Sequence, residues 1–528
     1  MLRISNVKVA LGKDDYRKAI SQELNVREKY IQHVQLDKLS IDARRGKVHF
    51  ICSFLFEVEN EEEFLKKHPR VQKYKPYHYT YPKKDNQKVV IVGSGPAGLF
   101  CGYVLSKIGQ DVTIVERGQQ VEKRIEAVDE MMKTGKINPQ SNISFGEGGA
   151  GTFSDGKLTT GIKNHRLRYI LETFVHHGAP EDILYLSKPH IGTDYLRKVL
   201  ISMREEMIKC GAKFMFETQF IDFYKQNGMT KVVVKNQDYI QELDADALVL
   251  AIGHSARDTY EMLYHKNMLM EQKAFAVGVR IEQLQETINR IQYKQSTTSP
   301  YLKAAPYKLA VQTKERGVYT FCMCPGGEVV ASSSEEGYLC VNGMSYYKRD
   351  GKNANSAILV NVKTEDFSSN HPLAGIEFQR ELEKKAFELG GGNGYAPVQL
   401  VYDYYENRIT EKLGAILPTY KPGYTLANLN EIFPEFINRN LKEGLQLMNE
   451  KMPGFIDENT IITGVEARSS APVRMIRNSE FQSSIENIYP IGEGAGYAGG
   501  IMSAAVDGIM CAEAILKGDY HGSKSVSC

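Results

Sequence analysis

Three glycines spaced as G-x-G-x-x-G have the clearest chemical meaning in this chain. Gly93, Gly95 and Gly98 follow the apolar run 89–92, and Glu116 comes later, at the end of a second apolar run. In a strand-turn-helix unit the first glycine permits the tight turn, the second lets the backbone approach a pyrophosphate, and the third lets the helix pack on the strand. An acid placed like Glu116 accepts a hydrogen bond from a ribose hydroxyl. The pattern predicts a dinucleotide-binding site.

The residues after the second glycine suit the start of a helix. Pro96 has no amide hydrogen to leave unpaired in the first helical turn. Gly109 is a natural stop at the other end of that helix. We therefore count Pro96 and its neighbour Ala97 among the candidate cofactor contacts.

A second glycine-rich turn lies in the segment 485–508. It resembles the C-terminal flavin segment of FAD enzymes with the glutathione-reductase type of nucleotide fold. By that resemblance Glu493 stands where an acid, usually aspartate, holds the ribitol. The helix that follows would point its N-terminus at the pyrimidine edge of the flavin, where reduction places negative charge. The candidate contacts in this segment are Gly492, Glu493, Gly499, Gly500 and Ile501.

A third segment, 245–253, is a short apolar run that ends in Ala-x-Gly. It resembles the strand that returns the chain to the nucleotide domain in such flavoproteins. Ala251 and Gly253 are therefore candidate cofactor contacts. The alternative is an ordinary core strand that ends in a glycine turn.

The loop 144–158 has five glycines and little apolar surface to bury. Gly148, Gly149 and Gly151 would allow close approach of the backbone to a flavin. Polar side chains beyond them would reach the polar edge of the flavin or the substrate, and a cation there raises the reduction potential. The alternative is a surface loop without a ligand. The candidate catalytic residues are Ser154, Asp155 and Lys157.

The order of these segments, with VERGQQVEKR at 115–124 and VEARSSAPVR at 465–474, resembles a bacterial family of FAD-dependent proteins described as NAD(FAD)-utilising dehydrogenases. The resemblance covers most of residues 86–520. It implies FAD as the cofactor and a Rossmann-like nucleotide fold, and it adds Arg117 and Arg124 as cofactor contacts.

We predict an α/β protein with a Rossmann-like FAD-binding domain, an inserted α+β substrate or cap domain and a small N-terminal α/β domain. Over residues 3–67, segments with the hydrophobic periodicity of strands alternate with segments that have the periodicity of helices. A linker rich in Lys, Tyr and Pro follows them. The predicted divisions are 1–84 for the N-terminal domain with its linker, 86–257 and 458–528 for the FAD domain, and 258–457 for the insertion.

Composition excludes several classes of protein. The chain has 528 residues, 42% of them hydrophobic and 25% charged, and a net charge of +2. This balance is ordinary for a globular protein and gives no reason to expect an anionic membrane or nucleic acid as a partner. No apolar run reaches the roughly 18 residues of a membrane helix, and the first residues do not resemble a signal peptide. We expect a cytoplasmic protein without a metal, and the oligomeric state stays open.

The eight cysteines show neither C-x-x-C nor metal-ligand spacing. Cys101 is the cysteine near the first glycine motif, so the sequence disfavours a dithiol reductase of the usual arrangement. Cys322 and Cys324 would share one face of a strand, where one thiol would serve substrate chemistry or both would be small core residues. A disulfide between residues two apart would be strained.

Several polar residues outside these motifs are candidate substrate contacts, with surface or interdomain salt bridges as the alternative. Arg280 and Glu282 share a strand face, and others fall in polar stretches. These others are Asn353, Asn355, Arg468 and Arg474.

Beyond the glycine-rich segments assigned to FAD, the chain has no further strand with G-x-G-x-x-G and a helix, so no separate nicotinamide domain is visible. NADH or NADPH would dock transiently over the flavin, or the substrate itself would donate electrons. The sequence predicts an FAD-dependent oxidoreductase that moves a hydride or two electrons to or from a small organic substrate. A flavin-dependent RNA-modifying enzyme, suggested by the Lys and Tyr linker, and a redox-responsive flavoprotein scaffold are the alternatives.

Overall fold

The computed structural model describes residues 1–44, 47–297 and 299–516. The last twelve residues of the predicted FAD domain, including Cys528, lie outside this range.

A small antiparallel sheet with two helices begins the chain, and its strand order is β2-β3-β1-β4. Leu2, Ile4, Phe54 and Phe56 are fully buried in its core. The elements are β1 (Leu2–Ala10), α1 (Tyr16–Leu24), β2 (Gln32–Asp42), β3 (His49–Glu57), α2 (Glu61–Lys67) and β4 (Val71–Lys73).

A parallel sheet and a three-stranded antiparallel sheet follow. Their elements are β5 (Lys88–Val92), α3 (Pro96–Lys107), β6 (Asp111–Val115), α4 (Val121–Thr134), α5 (Arg166–His176), α6 (Thr193–Lys209), β7 (Lys213–Met215), β8 (Gln219–Gln226), β9 (Met229–Lys235), β10 (Ile240–Ala245), β11 (Ala247–Leu250) and α7 (Arg257–His265). The three-stranded sheet has the order β10-β9-β8.

The remaining elements build a large, mainly antiparallel sheet and then return to the parallel one. They are β12 (Met270–Gln272), β13 (Phe275–Leu284), α8 (Gln285–Tyr293), β14 (Ala310–Gln312), β15 (Gly317–Cys324), β16 (Glu328–Ala331), β17 (Val341–Met344), β18 (Asn353–Val362), α9 (Ala374–Leu389), β19 (Ala396–Leu400), α10 (Val401–Tyr405), β20 (Tyr424–Leu426), α11 (Glu435–Lys451), β21 (Ile461–Glu466), β22 (Val473–Met475), β23 (Ile488–Pro490) and α12 (Ile501–Ile515).

The large sheet has the strand order β14-β15-β18-β13-β21-β19-β20. Its strand β21 lies beyond residue 457 in the chain and pairs with β13 and β19. The sheet therefore extends past the residue at which the sequence divides the insertion from the FAD domain, and that division stays a prediction.

The parallel sheet has the order β23-β11-β5-β6-β7 and brings three turns to one edge. Val92, Leu250 and Pro490 end neighbouring strands and lie in register with one another. Because ligands of open parallel sheets bind beyond the carboxyl ends of the strands, the glycine turns that follow these residues share one site.

Helix α3 packs between the sheet and α12 at very short range. An added Cβ at Gly98 would lie 2.0 Å from the carbonyl oxygen of Gly93, and one at Gly508 would lie 2.0 Å from that of Ala97. Glycine at both positions is therefore a condition of this packing. Among the described helices, none combines the length and the apolar character that crossing a bilayer requires.

Replacement of Gly508 by alanine tests this packing. The new methyl group would meet the backbone of Ala97 and force α12 away from α3. We expect the free energy of unfolding to fall by about 1 to 3 kcal/mol, measured by urea denaturation. The control is Gly161→Ala, because an added Cβ at Gly161 meets nothing within 4 Å. Equal stability of the two variants would contradict the proposed contact.

Candidate functional site

One cavity of about 290 Å³ lies beyond the carboxyl edge of the parallel sheet. The loop 144–157 forms one side of it and the large antiparallel sheet covers the far end. The predicted site residues that line it are Gly93, Gly95, Pro96, Ala97, Glu116, Arg117, Gly149, Gly151, Ser154, Asp155, Lys157, Ala251, Gly253, Gly492, Glu493, Gly500 and Ile501.

The first glycine turn leaves room for a phosphate. Gly93 has φ +102°, and an added Cβ there would lie 2.3 Å from the carbonyl oxygen of Ala251. At Gly95, by contrast, the nearest atom to an added Cβ is the Cα of Gly149 at 3.9 Å. This open space faces the N-terminus of α3, whose free amides favour an anion. The residues present therefore fit the pyrophosphate of a dinucleotide.

Glu116 joins three segments around this turn through hydrogen bonds to its carboxylate. Its buried carboxylate accepts hydrogen bonds from the amide of Ser94 at 3.0 Å, the Ser94 hydroxyl at 2.8 Å, and the amides of Gly118 at 2.9 Å and Gly146 at 3.0 Å. It also lines the cavity. A ribose hydroxyl would thus bind to a carboxylate whose position the backbone already determines.

Four predicted cofactor contacts, Gly98, Arg124, Gly148 and Gly499, are absent from the residues that line the cavity. Gly98 and Gly148 instead allow close packing, since an added Cβ on Gly148 would lie 2.3 Å from a methyl group of Leu200. Gly499 lies next to Glu493, since an added Cβ at Gly499 would lie 3.1 Å from the Glu493 carboxylate.

Arg124 does not line the cavity, although the sequence predicted it as a cofactor contact. Its guanidinium is fully buried and donates to the carbonyl oxygens of Asn142 at 2.8 Å, Ile143 at 2.8 Å and Glu147 at 2.6 Å. It therefore holds the shape of the loop that borders the cavity. Arg117 does line the cavity, and its guanidinium is 4.3 Å from the centre of the Phe145 ring.

The second glycine turn places an acid beside the start of α12. The amide of Gly500 donates to Glu493 at 3.3 Å, and Gly492 has φ +73°. Burial raises the pKa of Glu493 to about 7, although the Lys273 cation opposes the shift. The N-terminus of α12 and this acid line the same end of the cavity.

The three predicted catalytic residues form a turn and an ion pair. The Ser154 hydroxyl donates to the Gly151 carbonyl at 2.8 Å, so it shapes the loop. Lys157 lies 2.8 Å from Asp155, which Arg349 also contacts at 2.5 Å. Burial raises the pKa of Asp155, but the two cations outweigh it and hold the pKa below its ordinary value. Burial lowers the pKa of Lys157, whereas the Asp155 carboxylate raises it, and the net shift is upward. Lys157 therefore stays a cation at neutral pH.

Strands β15, β17 and β21 contribute further residues, and of these the sequence singled out only Cys322. Cys322, Asn342 and Glu466 line the cavity. Behind them the fully buried Arg280 donates to Glu466 at 2.6 Å and to the Cys322 carbonyl at 2.6 Å. Sequence reasoning named Arg280 only as a possible substrate or surface residue, because strand alternation does not tell which face is buried.

A third wall follows the return strand β11. His254, Ser255 and Arg468 line the cavity, and Arg468 forms an ion pair with the buried Glu383 at 2.7 Å. Burial lowers the pKa of His254 to about 4, helped by Arg468 and Arg257, so its imidazole is neutral at pH 7. The adjacency of His254 to Gly253 in sequence is the one signal that would have found it.

Within the described residues, His176, His177 and Glu206 bring possible metal ligands together. Glu206 also accepts from the Tyr103 hydroxyl at 3.2 Å and pairs with Lys107 at 2.5 Å. These partners account for the arrangement as a hydrogen-bond network, and the expectation that the protein needs no metal stays a prediction.

Two glycine-rich turns at one edge of a parallel sheet, joined by one cavity, are typical of FAD-binding proteins. Two family models agree with this class: "FAD-dependent protein, C-terminal domain-like" matches residues 274–469, and "Pyridine nucleotide-disulphide oxidoreductase" matches residues 88–136. A third, a domain of unknown function (DUF8436), matches residues 1–57. An uncharacterized protein of Clostridium beijerinckii (strain ATCC 51743 / NCIMB 8052) is 44% identical over 533 residues, which cover 98% of both chains. The chain belongs to the family of that clostridial protein.

Solved structures with a similar arrangement include a flavin-dependent halogenase, CmlS, at 13% identity and a TM-score of 0.38. Another is aklavinone-11 hydroxylase in complex with FAD and aklavinone, at 12% identity and a TM-score of 0.38. Each alignment covers 82% of this chain, but only 58% of the halogenase and 62% of the hydroxylase. The chain thus spans less than two thirds of these two proteins.

Replacement of Gly95 by valine tests the first glycine turn. Gly95 has φ −68°, which valine tolerates, and the space around it is open. We therefore expect the FAD-free chain to fold with an unchanged unfolding temperature but to lose FAD affinity by more than about tenfold, because the side chain takes the space of the pyrophosphate. Flavin absorbance per chain measures the outcome, with Gly161→Val as the control. Normal flavin content would contradict the assignment.

Replacement of Glu493 by glutamine tests its raised pKa in the FAD-free protein. Between the ordinary carboxyl pKa and about 7 the folded state retains a proton that the unfolded chain has lost. The wild type should therefore lose stability relative to Glu493→Gln as the pH rises through this window, by about 1 to 3 kcal/mol, and the difference should level off above it. Urea unfolding of both proteins at several pH values measures this. Parallel pH profiles would contradict burial of the charge.

Proposed function

We propose that this protein is an FAD-dependent oxidoreductase that moves a hydride or two electrons to or from a small organic substrate. The observation that carries the proposal is one continuous cavity. It runs from Gly95 at the dinucleotide turn to Cys322 and Glu466 on the antiparallel sheet. A cofactor in the glycine turns would leave its reactive end next to residues of the inserted segment.

The residues of the cavity divide between the two ends of such a cofactor. Gly95 and the N-terminus of α3 suit the pyrophosphate, and Glu116 suits the ribose of the adenosine half. Glu493 and the N-terminus of α12 suit the ribitol and the flavin ring. When bound, FAD supplies a two-electron acceptor and donor, and the protein supplies orientation and electrostatics.

Lys157 acts in this proposal as a fixed charge rather than as an acid or a base. Asp155 holds it as a cation, 2.8 Å away, in a loop that borders the cavity. A cation at this place favours anionic groups of the substrate and the anionic reduced flavin. His254, neutral at pH 7, is a cavity residue that can either donate or accept a hydrogen bond there.

The linker tyrosines contact protein in the structure. The Tyr79 ring stacks on Tyr169 at 4.2 Å between centroids, and the Tyr81 hydroxyl lies 2.7 Å from that of Tyr169. The Tyr79 hydroxyl also donates to Glu513 at 3.0 Å. Because these rings pack on the nucleotide domain, the linker lends no support to stacking of nucleic-acid bases, and the oxidoreductase remains the function we propose.

Anaerobic stopped-flow absorbance tests the proposal. The purified protein is mixed separately with NADH, NADPH and dithionite while the flavin absorbance band at about 450 nm is followed. We expect dithionite to bleach the band and one nicotinamide to bleach it rapidly, because the cavity is open to a transient ligand. Gly95→Val protein, which should carry no flavin, is the control for unspecific signals.

Bleaching by dithionite alone would exclude NAD(P)H as reductant and would mean that the organic substrate is the electron donor or that the flavin is structural. A purified protein that neither carries nor binds FAD would contradict the proposed function.

A further inference from the structure

Strand β15 contains an irregularity at the wall of the cavity. Its pairing with β18 shifts between Phe321 and Cys324, and Cys322 has φ +43°, in the left-handed region. The regular alternation expected from the sequence is therefore broken at these residues. Cys322 lines the cavity, and Cys324 is fully buried beside it.

The two thiols interact with each other. Hydrogen bonding between the two thiols lowers the pKa of Cys322 and, in turn, contributes to raising that of Cys324. The Cys324 sulfur also lies 3.2 Å from the carbonyl oxygen of Cys322. Cys101, the cysteine near the first glycine motif, contacts Cys511 in the packing of α3 on α12 instead. The pair on β15 is thus the thiol pair that borders the cavity among the described residues.

Two cations lie close to the sulfur of Cys324 in this pair. The Lys157 ammonium is 3.8 Å and the Arg280 guanidinium 3.7 Å from the Cys324 sulfur. The hydrogen bond from Cys324, with the charges of Lys157 and Arg280, holds the pKa of Cys322 well below its ordinary value. Burial raises the pKa of Cys324, so Cys322 is the thiol of the pair that loses its proton first. An electropositive, partly accessible setting is typical of reactive cysteines.

We propose that Cys322 and Cys324 are a redox-active pair that alternates between dithiol and disulfide at the end of the FAD cavity. This inference rests on the proposed function, because the flavin in the same cavity is the electron partner. Oxidation forms the bond between the two sulfurs, removes the proton of Cys324 and passes two electrons to FAD. Reduction breaks that bond and returns the proton to Cys324.

The geometry suits a pair that is reduced and oxidised repeatedly. A disulfide between residues two apart in sequence is strained, and strained disulfides are the more oxidising and labile ones. Lys157 and Arg280 stabilise the thiolate that reduction produces. Both effects favour transfer of electrons from a reduced flavin to the pair.

Anaerobic dithionite titration of the holoenzyme tests this inference through electron uptake. A flavin accepts two electrons and a disulfide two more, so we expect about four electrons per flavin in the wild type. Cys322→Ser and Cys324→Ser should take up about two, with flavin content measured in each sample. Cys511→Ser, which removes a thiol from the other contacting pair, should retain the uptake of about four.

Thiol counting on the wild type gives a readout that needs neither a variant nor a flavin. Alkylation before and after oxidation by oxidised glutathione, followed by peptide mass spectrometry, should show reversible loss of the two thiols in the peptide of Cys322 and Cys324. Uptake of about two electrons by the wild type, with both thiols alkylated after oxidation, would overturn the inference. Colourless protein in which this disulfide still forms would contradict the proposed function, whereas yellow protein in which it never forms contradicts only the inference.

Discussion

The structure depends on the close contact of α3 with the parallel sheet on one side and with α12 on the other. Gly98 and Gly508 allow this contact, since a Cβ at either would lie 2.0 Å from a carbonyl oxygen. With α3 in this position, the turn at Gly93 lies against Ala251, and the strand ends at Leu250 and Pro490 lie in register with Val92. Two segments separated by almost four hundred residues in sequence thereby meet at one edge of a sheet.

Buried polar groups then shape the loop that borders the cavity. Glu116 accepts hydrogen bonds from Ser94, Gly118 and Gly146, while Arg124 donates to three carbonyl oxygens within residues 142–147, at the start of that loop. A loop rich in glycine has little apolar surface and high conformational freedom, so it needs such bonds to take one shape. Glu116 therefore both lines the cavity and holds the loop, whereas Arg124 acts on the loop alone.

Charged groups connect the nucleotide side of the cavity to the antiparallel sheet. Asp155 pairs with both Lys157 and Arg349, and Arg280 pairs with Glu466 across two strands of that sheet. Each of these acids is buried, and each has its cation within 3 Å, which is the condition under which buried charges are tolerated. The charged part of the cavity wall is thus held in place before any ligand binds.

The sequence by itself determined the two glycine turns, the return strand and the loop between them, because each depends on local spacing and on backbone freedom that only glycine has. It also predicted the helices and strands of the first 67 residues, where hydrophobic periodicity is regular. It could not separate Arg124, which holds the loop, from Arg117, which lines the cavity, nor find Asn342 and Glu466. Only the tertiary structure decided these, together with the contact between Cys324 and Lys157, because strand register, a bulge and side-chain burial arise from contacts between residues far apart in the chain.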